Sequence, residues 1–120
     1  MTAVKVIIPT LPVRDLERAH RFYTDVLGFV EPWGWGDPPQ YGGVQATAGE
    51  FPAIHLSVKQ HEFEPGEAYV IVDDVDAVFA RVKAAGATFQ HELSDRDYGM
   101  RDFTVVDPDG NVISFASDTA

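Results

Sequence analysis

Two short patterns recur at one spacing. Val13-x-Asp15-Leu16 returns as Val72-x-Asp74-Val75, and Ile54-x-Leu56 returns as Ile113-x-Phe115, each 59 positions later. In a chain of 120 residues such a repeat constrains the fold more than any single motif. Each half must be one supersecondary unit, built the same way as the other.

The order of elements within each half follows from local signals. Residues 4–9 (VKVIIP) read as a first strand. Asp15 is a good N-cap, and Leu16, Ala19, Phe22, Tyr23, Val26 and Leu27 follow at helical spacing. Gly28 stands where a left-handed C-terminal residue is expected. Residues 29–41 (FVEPWGWGDPPQY) hold three prolines and two tryptophans, so they are expected to form an irregular loop after a brief strand. Residues 43–48 and 53–58 read as strands around a turn at 49–52, and 59–66 as a polar linker. A strand at 67–72 then leads into a helix capped by Asp74 or Asp76, carrying Val75, Val78, Phe79, Val82 and Ala85, and ended by Gly86.

A strand at 87–93 precedes the clearest local signal, 98–116 (YGMRDFTVVDPDGNVISFA). Phe103 and Val105, then Val112 and Phe115, suggest two antiparallel strands. Between them lies Asp107-Pro108-Asp109-Gly110. Proline presets φ at the first central position of such a turn, and glycine supplies the positive φ that closes it.

The expected fold is therefore α+β: tandem βαβββ modules at about 4–60 and 66–118, within one domain spanning 1–120. One helix covers only one face of a four-stranded sheet. Two mixed sheets curling towards each other would leave a crevice, a natural place for a small ligand.

Composition removes several function classes. With 45% hydrophobic residues the chain can bury a core, and no apolar run approaches the roughly 18 residues of a membrane helix. No charged-then-apolar leader precedes the first strand, so a soluble, cytoplasmic location without membrane association is expected. With no cysteine there is no disulfide, thiolate metal site or thiol nucleophile. A formal charge of −10 argues against nucleic acid and favours a cationic ligand, although acidity also serves plain solubility. There is no nucleophile elbow, phosphate-cradling glycine loop or nucleotide fingerprint.

Val13-Arg14-Asp15-Leu16, Phe22-Tyr23, Leu27-Gly28-Phe29, Tyr98-Gly99-x-Arg101-x-Phe103 and Asp107-Pro108-x-Gly110-Asn111 together resemble the vicinal oxygen chelate superfamily. That superfamily includes glyoxalases, extradiol dioxygenases and bleomycin-binding resistance proteins, and the likeness covers almost the whole chain. Its catalytic members place metal ligands at positions that correspond here to Ile8, His55, Glu67 and Ser114. Isoleucine cannot bind a metal and a serine hydroxyl is a poor ligand, so only His55 and Glu67 remain, short of the three or four groups usually needed. The resemblance thus implies no catalytic residue and no cofactor, with a divalent-metal lyase or dioxygenase as the alternative.

Pro9-x-Leu11-Pro12-x-Arg14-Asp15 and Gly99-x-Arg101-Asp102-Phe103 resemble the bleomycin-binding branch in particular. This implies a non-catalytic homodimer with an exchanged first strand, sequestering a bleomycin-class ligand in crevices between subunits. Aromatic groups would stack the planar part and acidic groups would meet the cationic tail. Expected ligand-binding residues are Trp33, Trp35, Tyr41, His55, Glu67, Tyr98 and Arg101, with Glu31, Asp37, Asp95 and Asp97 supplying negative potential. Trp33 and Trp35 could instead pack on their own loop or on a partner, and Tyr98 could cap the sheet end. A polar pair with Glu67 suits His55 better than a metal does. Arg101 fits a role fixing its loop through a carboxylate. His20, His61 and His91 carry no expected function, and another small aromatic metabolite remains an alternative ligand.

Overall fold

A computed structural model describes residues 2–119. The chain divides into two compact units, one ending at Glu64 and the other beginning at Pro65. Unit 1 contains β1 (Thr10–Val13), α1 (Leu16–Arg21, continued by a π-helical segment, Phe22–Val26), β2 (Val30–Trp35), β3 (Tyr41–Gln45) and β4 (Ala53–Val58). Unit 2 contains β5 (Glu67–Ile71), α2 (Val75–Ala84), β6 (Thr88–Asp95), β7 (Met100–Val106) and β8 (Val112–Asp118). The strand orders are β1-β4-β3-β2 and β5-β8-β7-β6. In each, the first and last strands of the module pair in parallel and the remaining neighbours are antiparallel. Both units are α+β, with one open mixed sheet each.

The helices start as their caps dictate. The Asp15 carboxylate accepts from the Arg18 N–H at 3.2 Å, and that of Asp74 from the Ala77 N–H at 3.1 Å. In unit 1 the helix widens at Phe22. There the Thr24 hydroxyl donates to the His20 carbonyl at 2.8 Å, and the Leu27 N–H reaches back five residues to Phe22. A hydroxyl that takes a carbonyl of the preceding turn loosens the ordinary helical ladder. The chain then leaves through Gly28, at φ 86°.

Each helix covers one face of its sheet. In unit 1 the core is Leu11, Val13, Leu16, Ala19, Tyr23, Val44, Ile54 and Leu56. Gly42 lets α1 sit close: a Cβ there would meet the Trp33 carbonyl oxygen and lie 2.9 Å from a Leu16 methyl. In unit 2 Val75, Val82, Phe103, Val105, Ile113 and Phe115 are buried. The Phe103 and Phe115 rings stack at 5.4 Å, and Phe79 lies 5.3 Å from Phe103.

Two sequence expectations need correction. The first strand is Thr10–Val13, not 4–9. Its partner β4 begins at Ala53, and the His55 N–H to Pro9 carbonyl bond (3.0 Å) ends the pairing, so the apolar run before it has no strand in unit 1 to join. Val4 and Ile7 are consequently 80% and 85% exposed. The second correction concerns the tryptophans, which lie on β2 rather than in a loop. Pro32 is tolerated there because β2 is the sheet edge and its register shifts between Val30 and Trp33.

The Asp107–Gly110 turn forms as expected, with Gly110 at φ 88°. Asp107 accepts from the Asp109 and Asn111 N–H groups, each at 2.8 Å, and from the Asn111 side-chain amide at 2.9 Å. Buried Asn111 in turn accepts from the Gly66 N–H at 2.7 Å, tying the start of β5 to the hairpin. Asn111→Ala should strand these groups and lower stability by about 1–3 kcal/mol, read as a lower urea midpoint with unchanged far-UV dichroism.

Candidate functional site

The sheet register defines what stands on the face away from each helix, because alternate residues of a strand share a face. In unit 1 one cross-strand row is Thr10, His55, Gly43, Trp33, and the next is Pro12, Ser57, Tyr41, Trp35. Gly43 leaves a gap between its two neighbours, and their rings fill it. Trp33 and His55 meet edge to face with centroids 5.2 Å apart at 86°. A Cβ on Gly43 would lie 3.1 Å from both Trp33 Nε1 and His55 Cδ2, and 2.8 Å from the Ile54 oxygen.

Tyr41 completes the cluster. Its ring lies 5.5 Å from that of His55 and 6.1 Å from that of Trp33, and its hydroxyl is 2.9 Å from His55 Nδ1. The Trp33 indole N–H donates to Gln45 Oε1 at 3.3 Å, which fixes the ring. Trp35, 71% exposed, continues the same face. Three of the expected residues (Trp33, Tyr41 and His55) are thus one aromatic platform, with Trp35 beside it. Such a surface can stack a flat group or receive a cation.

In unit 2 the corresponding rows are Tyr69, Ser114, Thr104, His91 and Ile71, Ala116, Asp102, Ser94. Ser114 stands at the place of His55, and Asp102 at that of Tyr41. Asp102 is only 3% exposed. Its Oδ2 accepts from the Tyr69 hydroxyl at 2.9 Å and the Tyr98 hydroxyl at 2.7 Å, while Oδ1 accepts from Arg96 Nε at 2.5 Å. The Thr104 and Ser114 hydroxyls are 2.7 Å apart. Tyr69, His91, Arg96, Tyr98, Asp102, Thr104 and Ser114 line an open concavity of about 250 Å³. A neighbouring one of about 350 Å³ is lined by Glu67, Ala68, Tyr69, Val112 and Ser114.

Tyr98 is held by its turn as well as by Asp102. Arg96 N–H donates to the Met100 carbonyl at 2.7 Å, and the Gly99 carbonyl accepts from the Thr119 N–H and hydroxyl. Burial would raise the Asp102 carboxyl, but hydrogen bonds from Arg96, Tyr98 and Tyr69, with the Arg96 charge, hold it below the usual carboxylate range. Desolvation of its hydroxyl, followed by the bond to Asp102, pushes Tyr69 up to about 12, and the Asp102 bond also raises Tyr98.

The other expected residues have separate placements. Arg101 is taken up by carboxylates: Nη2 lies 2.9 Å from Asp76 and Nη1 3.1 Å from Asp95, tying β7 to α2 and β6. Glu31 accepts from the Gly49 N–H at 2.6 Å and steadies the β3–β4 turn. Asp37 enters the turn after β2 through a cis bond to Pro38, and Asp97 is exposed beside Tyr98. His55 belongs to unit 1 and Glu67 to unit 2. His91, expected to carry no role, lines the unit 2 concavity. Tyr69 and Arg96 went unrecognised as site residues. Asp102 alternates with Phe103 and Val105, which places it on the open face, but no spacing announces a tyrosine 33 residues upstream.

The donor set does not fit the metal of the catalytic vicinal oxygen chelate enzymes. Ile8 has no donor atom, the Ser114 hydroxyl is bonded to Thr104, and His55 Nδ1 to Tyr41. Among the described residues no three His, Cys, Asp or Glu side chains are grouped to hold an ion. Among the same residues, no helix is long and apolar enough to cross a membrane.

Asp102 also gives the fold a pH signature. Its native pKa lies below the unfolded value near 3.9, so its contribution is fully present above that value and is lost as pH falls through the native pKa. Urea midpoints measured from pH 6 to pH 2 should fall less steeply at the acid end in Asp102→Asn than in wild type.

Comparison with known proteins places these features in a family. The model described as the Glyoxalase/Bleomycin resistance protein/Dioxygenase superfamily matches residues 5–115. A bleomycin resistance protein of Geobacillus stearothermophilus is 28% identical over 132 residues, covering 90% of this chain and 92% of its own. Among solved structures, TnmS3, an antibiotic binding protein from Streptomyces sp. CB03234, is 28% identical with a TM-score of 0.78, covering 98% of both chains. A glyoxalase-related enzyme from Clostridium phytofermentans shares the fold, with a TM-score of 0.81 at 20% identity over 98% of this chain and 97% of that one.

Proposed function

The chain belongs to the Glyoxalase/Bleomycin resistance protein/Dioxygenase superfamily, and from that premise we propose that it is a resistance-type binder that sequesters a small antibiotic without turnover. The ligand is of the bleomycin class, with a planar heteroaromatic part and a cationic tail. The observation that carries this reading is the platform of Trp33, His55 and Tyr41 built over Gly43. Its rings are set by hydrogen bonds before any ligand arrives, so little is lost in ordering them on binding. The net charge of −10 favours approach of a cation. Bleomycin resistance proteins and an antibiotic binding protein among the relatives support the ligand class.

The donor set at Ile8, His55, Glu67 and Ser114 favours binding without a resident metal over lyase or dioxygenase chemistry. Glu67 and Tyr98 line concavities on the open face of unit 2 and are offered to ligand there. Arg101 serves by holding the β6–β7 hairpin. Residues 4–9, mostly apolar, with Val4, Lys5 and Ile7 exposed and the rest half-buried, are the segment offered to a second copy in a strand-exchanged homodimer.

Both tryptophans of the chain lie on β2, so intrinsic fluorescence reports directly on this face. Metal-free bleomycin should give saturable calorimetric heat with a micromolar or tighter Kd, should quench tryptophan emission, and should be recovered unmodified by mass spectrometry. Trp33→Ala should weaken binding by up to about 2 kcal/mol, a factor of roughly 30. Absence of heat and quenching at micromolar concentration contradicts the drug class.

A further inference from the structure

β2 carries one residue more than the length of β3 it pairs with. Val30 lies opposite Gln45 and Trp33 opposite Gly43, so three steps along β2 match two along β3. Gln45 and Gly43 stand on one face because strands alternate, and Val30 and Trp33 therefore share that face despite their odd separation. The extra residue is what turns Trp33 outward, since a slip of one position flips every side chain beyond it. Without the bulge Trp33 would stand opposite Gly42, on the side towards α1. Gly34 holds that place, and a Cβ on it would already lie 2.9 Å from a Leu16 methyl. The indole has no room there, so a β2 that loses its bulge can only lift away from β3.

The bulge is made at Glu31. Its φ of 50° lies in the left-handed region, and among the described residues it is the one non-glycine residue with a positive φ. A residue with a Cβ is strained in that conformation and stays there only when its surroundings hold it. The holding contact is the Glu31 carboxylate, which accepts from the Gly49 N–H at 2.6 Å in a charge-assisted bond. The indole is tied to the same turn. Trp33 Nε1–H donates to Gln45 Oε1 at 3.3 Å, and Gln45 Nε2 donates to the Glu50 carbonyl at 2.5 Å. That turn is itself closed by the Ala46 N–H on the Pro52 carbonyl at 2.8 Å. β2 is a sheet edge, so it has no strand on its other side to steady it.

We propose that Glu31 is a positioning residue for the ligand platform: its bond to Gly49 holds the β2 bulge that turns Trp33 outward against His55. The inference rests on the Trp33 platform as the ligand surface. It gives Glu31 the role of a hydrogen-bond acceptor in place of that of a negative charge near a cation. The two roles separate cleanly, because an amide oxygen keeps the acceptor and removes the charge.

The test compares Glu31→Ala and Glu31→Gln with wild type in the full-length protein. Nuclear Overhauser contacts between the Trp33 and His55 rings, 5.2 Å apart at their centroids, report the geometry, and calorimetric titration with metal-free bleomycin reports binding. Glu31→Ala, folded by far-UV dichroism, should lose the ring contacts and bind about tenfold more weakly. Glu31→Gln should keep the ring contacts and bind within about threefold of wild type. In wild type the Gly49 amide should exchange with solvent at least about tenfold more slowly than a free turn amide. The proposal is overturned if folded Glu31→Ala keeps the ring contacts or wild-type affinity, or if Glu31→Gln fails as the alanine variant does. A freely exchanging Gly49 amide in wild type overturns it as well, even where the alanine variant does not fold. Ring contacts and amide exchange need no ligand, so failure of wild type to bind bleomycin strikes the drug class and leaves those two readouts to decide the role of Glu31.

Discussion

A four-stranded sheet has two faces, and each unit of this protein has one helix to cover them. That constraint governs everything else. In unit 1 the helix takes the face carrying Leu11, Val44, Ile54 and Leu56; in unit 2 it takes the face of Phe103, Val105, Ile113 and Phe115. The opposite faces keep a full set of side chains with no helix over them. A methylene-rich side chain there, such as Ile71, stays exposed and gains little from burial. Besides Pro12, Ile71 and Ala116 the faces carry mainly aromatic and polar groups, several of them held by hydrogen bonds within the sheet.

The repeat makes the divergence of those two faces visible. His55 and Ser114 occupy equivalent places, as do Tyr41 and Asp102 in their respective rows. Unit 1 uses a residue without a side chain, Gly43, to bring an indole and an imidazole together. Unit 2 puts Thr104 in that place and turns it onto Ser114. One scaffold therefore presents an aromatic platform in one module and a carboxylate-centred network in the other. Catalytic relatives are implied to use the same places for metal ligands; here the Ser114 hydroxyl is bonded to Thr104 and His55 Nδ1 to Tyr41.

The sequence signals that survived were those with local causes. Asp15 and Asp74 cap their helices because a short carboxylate reaches the N–H three residues on. The β4 strand, residues Ala53–Val58, and the Asp107–Gly110 turn formed where alternation and turn chemistry put them. His55 stands opposite Ile54 and Leu56 because strands alternate. What failed depended on distant partners. Residues 4–9 look like a strand, but strandhood requires a neighbour, and the register of β1 on β4 leaves residues 4–7 beyond the start of β4. The segment holding Trp33 and Trp35 looks like a loop because of its three prolines and two tryptophans, yet an edge strand with a bulge accommodates Pro32. The Asp102 network joins residues 69, 96, 98 and 102, and only the fold brings the first of them to the others.

The central claim is that the helix-free sheet face of unit 1, with no metal, holds the ligand. A crystal structure of the protein with metal-free bleomycin tests it most directly. The account predicts the planar rings of the drug against Trp33 and His55, above Gly43. Drug seated elsewhere with that face bare, or a metal ion bound to His55, would contradict it.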